Sequence, residues 1–137
     1  VARIVAIDYG NKRVGLAVTD PLKLIATPLE TVHAKDIYDF LKKYTQEQEV
    51  EAFVVGMPKK LDNTPTDVTS AVIGFVRKLQ KEIPAIPVHT LDERFTSRMA
   101  FQAMIAGGLK KKDRQNKATI DKVSAAIILQ SYLEANP

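Results

Sequence analysis

The stretch that most limits how this chain can fold is Ile4 to Asp20, IVAIDYGNKRVGLAVTD. Ile4, Val5 and Ile7 give a nearly continuous apolar run, the mark of a strand covered on both faces, and the run ends in a single acid, Asp8. Gly10 and Asn11 both tolerate positive φ, so the chain can reverse into a second run in which Val14, Leu16 and Val18 alternate with smaller residues. A buried hairpin that carries a carboxylate at its strand end is therefore expected, and the rest of the sheet must be built around it.

The remaining chain supplies the partners. Asp20-Pro21 ends the second strand, and Ala26 to Val32 offers a third before a polar break. Ile37, Phe40, Leu41 and Tyr44 fall on one helical stripe, which predicts a helix from about Lys35 to Gln48. Glu51 to Met57 reads as a buried strand closed by Gly56 and Pro58. Val68, Ala71, Val72, Phe75, Val76 and Leu79 mark a second helix, with Thr64 as N-cap and Pro65 at its first position. Pro87 to Leu91 is a fifth strand, ending in Asp92-Glu93-Arg94. Thr96 can cap a third helix that stops at Gly107-Gly108, Lys110 to Lys117 is a basic segment without periodicity and is expected to be mobile, and a last helix runs from Ile120 to Leu133. The order is that of an α/β fold with an antiparallel hairpin side and parallel crossover strands, and such sheets place their sites at strand ends.

At 137 residues the chain suits a single domain, residues 1–137, with a substantial core. It contains no cysteine, which removes disulfides, thiolate metal sites and thiol nucleophiles and suits a reducing, cytoplasmic setting. Asp8, Lys12 and Arg13 interrupt any signal-peptide core, and no apolar run approaches the roughly 20 residues of a membrane span. The net charge of +4 is unevenly spread: residues 94–122 hold eight basic against two acidic side chains, net +6, leaving twelve against fourteen, net −2, elsewhere. A charge run is commonly a solvated face and acquires meaning only beside a catalytic site.

Three acids supply one. Asp8 and Glu93 each terminate a strand, and Asp121 opens an apolar helix whose next turn, Ser124 and Ala125, is small enough to approach a sheet closely. Taken singly each has a plain explanation: Asp8 as a turn cap, Glu93 paired with Arg94 or Arg98, Asp121 as a first-turn acid favoured by the helix dipole. Gathered together they repel unless a divalent cation neutralises them. One or two Mg²⁺ or Mn²⁺ ions suit oxygen donors of this kind, and such ions can activate water against a phosphodiester. Asp92 and Glu93, being neighbours on one strand, should point to opposite faces, so only one can join Asp8. Lys12, Arg13, Arg94 and Arg98 are the candidates for gripping phosphate, with Lys110, Lys111, Lys112, Arg114 and Lys117 binding backbone without reading sequence.

Four segments in this order, IVAIDYGNKRVGLAVTD, VVGMPKKLDNT, LDERFTS and IDKVSAAIILQSYL, resemble the YqgF/RuvX family over nearly the whole length. That family is described both as Holliday-junction resolvases and as pre-16S rRNA processing nucleases. The resemblance implies an RNase H-like fold, a mixed five-stranded sheet flanked by helices, with Asp8, Glu93 and Asp121 as catalytic and metal-binding acids. In the loop after the fourth strand Asp62 is followed by Asn63, where the family usually has Asp-Gly.

The implied activity is metal-dependent phosphodiester hydrolysis, endo- or exonucleolytic, in an rRNA precursor or in branched DNA. End-trimming of RNA is compatible with a monomer, whereas two symmetric cuts in a junction call for at least a weak homodimer. An actin-like ATPase half also begins with D-x-G and a basic hairpin, but its two domains need a far longer chain. A non-catalytic nucleic-acid-binding regulator would need only the basic segment, and a structural scaffold would leave the acids unexplained.

Overall fold

The computed structural model describes residues 2–10, 12–20, 26–57, 67–92 and 117–135. Strands β1 (Arg3–Tyr9), β2 (Arg13–Thr19), β3 (Ala26–His33), β4 (Val50–Met57) and β5 (Val88–Asp92) combine with helices α1 (Ile37–Glu47), α2 (Asp67–Glu82) and α3 (Lys117–Ala135). The strands form one sheet in the order β3-β2-β1-β4-β5. β1 pairs antiparallel with β2 and β2 with β3, while β1 with β4 and β4 with β5 are parallel. This is the mixed sheet that the hairpin and the crossover pattern predict.

The central position of β1 follows from its composition. Ile4 is 6% exposed and Val5, Ala6 and Ile7 are 0%, which only a strand flanked on both edges and covered on both faces can achieve. Alternation then sorts its side chains between two cores. Val5 and Ile7 join Val14, Leu16, Phe53 and Val55 beneath Ile37 and Leu41 of α1 and Val72, Phe75 and Leu79 of α2. Ile4 and Ala6 join Ala17 and Val54 beneath Ala125, Ile128 and Leu129 of α3. α1 and α2 therefore cover one face of the sheet and α3 the other, crossing β1, β2 and β3 and reaching β4.

Thr19 is a fully buried polar residue of the sheet, and its groups are used. Its Oγ1 accepts from the Ile4 amide at 2.9 Å and its carbonyl accepts from the Arg3 guanidinium at 3.0 Å. The side chain thus extends the β1–β2 ladder past the last backbone pair. His33 acts similarly at the entry to α1, where its Nδ1 accepts from the Lys35 amide at 3.1 Å across a 3₁₀ turn, Ala34–Asp36.

Two expectations change. The last helix begins at Lys117 rather than Ile120, so Lys117 belongs to regular structure and not to a mobile segment. Lys117 and Ala118 are strong helix formers and simply continue a helix fixed by the packing of its later turns. At the hairpin turn, Gly10 has no positive φ, and its need is for space: a Cβ there would stand 2.7 Å from the Arg13 carbonyl oxygen, to which the Gly10 amide donates at 3.0 Å. The predicted helix from Thr96 to Gly107 and the Thr64-Pro65 cap lie outside the described residues.

Candidate functional site

Asp8 pairs with Gly15 across the hairpin, one residue beyond the Ile7–Val55 pairing with β4. It is half-buried. In the alternation of β1 it follows Ile4 and Ala6, whose side chains pack beneath α3, so its carboxylate belongs to the α3 face of the sheet. The other face is held by its neighbour. The Tyr9 ring stacks on Phe75 of α2, with centroids 4.4 Å apart and planes inclined by 20°. Strand pairing on both edges together with this aromatic stack fixes the end of β1 and hence the direction in which Asp8 points. Neither Tyr9 nor Phe75 stands out as a site element in the sequence, because a contact between β1 and α2 depends on the crossover topology.

Basic groups accompany Asp8 at this end of the sheet. Lys12 in the β1–β2 turn and Arg13 at the start of β2 are both exposed. Arg13 pairs with His33 of β3 and falls on the same alternation as Gly15 and Ala17, the α3 face. The turn is braced by a hydrogen bond from the Ala34 amide to the Lys12 carbonyl at 3.0 Å. An acid and two cations at one strand end, on a backbone held from several sides, form an arrangement suited to a phosphate oxyanion and a cation together.

Asp121 lies in the second turn of α3, three and four residues before the buried Ser124 and Ala125. The earlier start of the helix also weakens its plain explanation: a dipole effect fades beyond the first turn, and the first turn of α3 carries no acid. Asp92 is the last residue of β5 and pairs with Met57. Earlier in β5, Val88 packs on the α1 and α2 side, whereas His89 and Leu91 lie on the α3 side, Leu91 in the apolar cluster and the His89 ring stacked on Tyr132 at 5.9 Å. The position after Asp92 is Glu93, which lies outside the described residues, as do Arg94, Arg98, Lys110, Lys111, Lys112 and Arg114.

Asp8 offers a hard oxygen donor of the kind Mg²⁺ or Mn²⁺ takes. Among the described residues no three His, Cys, Asp or Glu side chains gather to hold an ion, so a metal site built on Asp8 would need donors from beyond them. Among those residues, too, no helix is long and apolar enough to cross a membrane.

Comparison with known proteins gives this arrangement a context. The profile of a family described as "RuvX: Holliday junction resolvase" matches residues 2–135. A protein of Phocaeicola vulgatus named "Putative pre-16S rRNA nuclease" is 54% identical over 135 residues, covering 98% of this chain and 97% of its own length. A Bacteroides fragilis protein of the same name is 49% identical over 134 residues, with 98% and 97% covered. Among solved structures, T. thermophilus RuvC in complex with Holliday junction substrate matches with a TM-score of 0.58 and 18% identity, over 99% of this chain and 97% of that one. At that identity the likeness concerns the fold, and the fold is RNase H-like.

Proposed function

The chain belongs to the RuvX family, and on that premise we propose that it is a metal-dependent nuclease whose substrate is the 5′ end of the pre-16S rRNA in ribosome biogenesis. The observation that carries this reading is Asp8: a half-buried carboxylate at the end of the central strand, on the face covered by α3, with Lys12 and Arg13 exposed at the same end. Two relatives of about half-identical sequence bear the rRNA nuclease name, and they favour RNA over DNA.

In this reading Asp8, Glu93 and Asp121 hold one or two Mg²⁺ or Mn²⁺ ions. Asp121 is supported by its place in α3, three and four residues before the buried Ser124 and Ala125, and Glu93 by following directly on Asp92, the last residue of β5. When bound, such ions lower the pKa of water and stabilise the leaving oxygen of a phosphodiester. The chain's own residues do the positioning. β1 keeps the Asp8 carboxylate from swinging, because its strand is paired on both edges and anchored through Tyr9. Lys12 and Arg13 draw the phosphate to that carboxylate, with Arg94, Arg98, Lys110, Lys111, Lys112, Arg114 and Lys117 as further backbone contacts. The setting proposed is the cytoplasm.

The second reading is Holliday-junction resolution, favoured by the family's description and by the RuvC-like fold. The two part on assembly, since paired cuts in a junction need a dimer and trimming of an RNA end does not. The decisive experiment is a side-by-side cleavage assay on a pre-16S rRNA leader and a mobile four-way junction, with Mg²⁺ or Mn²⁺. Cleavage of the RNA, lost in Asp8→Asn while binding persists, is expected. Cleavage of the junction alone by a dimer would move the function to DNA, and cleavage of neither would leave a binding protein.

A further inference from the structure

The outer side of α2 carries a charge pattern that the reading above does not use. Gly74, Arg77, Lys78, Lys81 and Glu82 line an open groove of about 470 Å³. Their spacing of three and four residues makes them one stripe of the helix. Arg77, Lys78 and Lys81 are all exposed.

The stripe is more positive than its sequence suggests. Its one acid, Glu82, is ion-paired with Lys42 of α1, so a neighbouring helix takes up the negative charge. Arg77 and Lys81 have no ion pair among the described residues, and the Lys78 ammonium lies 4.5 Å from the centroid of the Tyr38 ring, a contact that orients the charge without neutralising it. At the N-terminal end of the groove Gly74 leaves the helix backbone bare, with nothing within 4 Å of where its Cβ would be. Arg77 and Lys81 are one turn apart, about 6 Å along the helix axis. Among the described residues the one large exposed apolar side chain is Ile73, at 38%, one turn before Arg77 on the same row of the helix, and the three cations beside it give this surface the charge for a phosphate-backbone contact.

We propose that Gly74, Arg77, Lys78 and Lys81 form a second nucleic-acid contact, on the opposite side of the sheet from Asp8, that holds the sugar-phosphate backbone of a long RNA substrate away from the point of cleavage. The identity of the polyanion rests on the nuclease reading; the existence of the contact is tested by binding alone. A strand that reaches both Asp8 and α2 must pass around the sheet, so the contribution of α2 grows with substrate length.

The test is fluorescence anisotropy across a salt series with an end-labelled pre-16S leader RNA, all proteins carrying Asp8→Asn so that the probe stays intact. Arg77→Gln/Lys78→Gln/Lys81→Gln is expected to weaken binding about tenfold and to make the log–log salt dependence shallower by about 2, three single-strand phosphate contacts at about 0.7 each. Gly74→Glu, which has open space for its side chain, is expected to weaken binding in the same direction. Lys35→Gln/Lys43→Gln, two exposed cations elsewhere, should leave the slope as it was. The inference fails if the triple variant keeps the parent slope and affinity, or if the Lys35/Lys43 variant loses as much per charge. It also fails if a labelled polyglutamate peptide binds the stripe as tightly as the RNA does, which would assign it to an acidic protein. Loss of the nuclease reading shows separately, in the Asp8-dependent cleavage assay.

Discussion

Thr19 shows how closely the hairpin is fitted. Its hydroxyl is the partner of a buried amide, that of Ile4, at 2.9 Å, and a valine would fill the same space without replacing it. Thr19→Val should cost about 1–3 kcal/mol, the penalty of an unsatisfied buried donor, as measured by urea denaturation. Gly10 is fitted by sterics instead. Since the atom a Cβ would meet is backbone, at 2.7 Å, the turn must open, and Gly10→Ala should lose about 1–3 kcal/mol as an overpacked site does. Both changes act on the strand that carries Asp8. Gly10→Ala is expected to lower cleavage as well, because the turn it opens sets Lys12 and Arg13.

α2 presents the opposite case. Gly74 sits mid-helix with nothing near its absent Cβ, so Gly74→Ala should stabilise the protein by about 1 kcal/mol through helix propensity, read from the shift in a denaturation midpoint. The buried stripe of this helix was legible in the sequence because Val72, Phe75 and Leu79 keep a strict helical spacing and are buried at 0%, 2% and 0%. β1 was legible for a different reason: an unbroken apolar run has few places to lie except the middle of a sheet. α3 was harder to bound, since apolar residues surround it and leave no periodic edge, and its first turn around Lys117 reads as part of a basic loop. The candidate site was legible one acid at a time. Asp8 could be placed from its own strand, but the anchoring of that strand by Tyr9 on Phe75 joins two elements far apart in the chain, and no local pattern announces it. Likewise Arg77, Lys78 and Lys81 look like ordinary solvated residues until Lys42, on another helix, is seen to pair with Glu82.

Across the molecule, the layer of α1 and α2 sets the response to alkali. Burial raises the Tyr38 phenol above its ordinary value of 10.0, and the neighbouring Tyr9 and Glu82 add to the effect. Burial raises Tyr44 too, against a smaller opposing pull from Arg3. A group whose folded pKa is raised stabilises the fold fully below its unfolded value and loses that contribution as pH climbs through the folded one. Stability should therefore decline above about pH 10, and Tyr38→Phe/Tyr44→Phe should flatten the decline in melting temperatures recorded across that range. At the acid end, Glu82 is held below its ordinary value chiefly by its hydrogen bond to Lys42. Its contribution fades as pH falls past that value, and it is small because the pair is exposed.

The parallel pairing of β1 with β4 also governs the order in which the protein can be assembled. β1 meets β2 through a short turn, but its other edge waits for Val50 to Val55, a contact of long sequence separation that closes slowly. During synthesis a chain that ends before β4 holds Ile4 to Ile7 in a meander with one apolar edge open, a template for pairing with other chains. Ribosome-stalled fragments ending at residue 49 should bind chaperone and resist release, while fragments extended through residue 92 should not. The strand that presents Asp8 emerges ahead of all its partners and is among the last to be sealed.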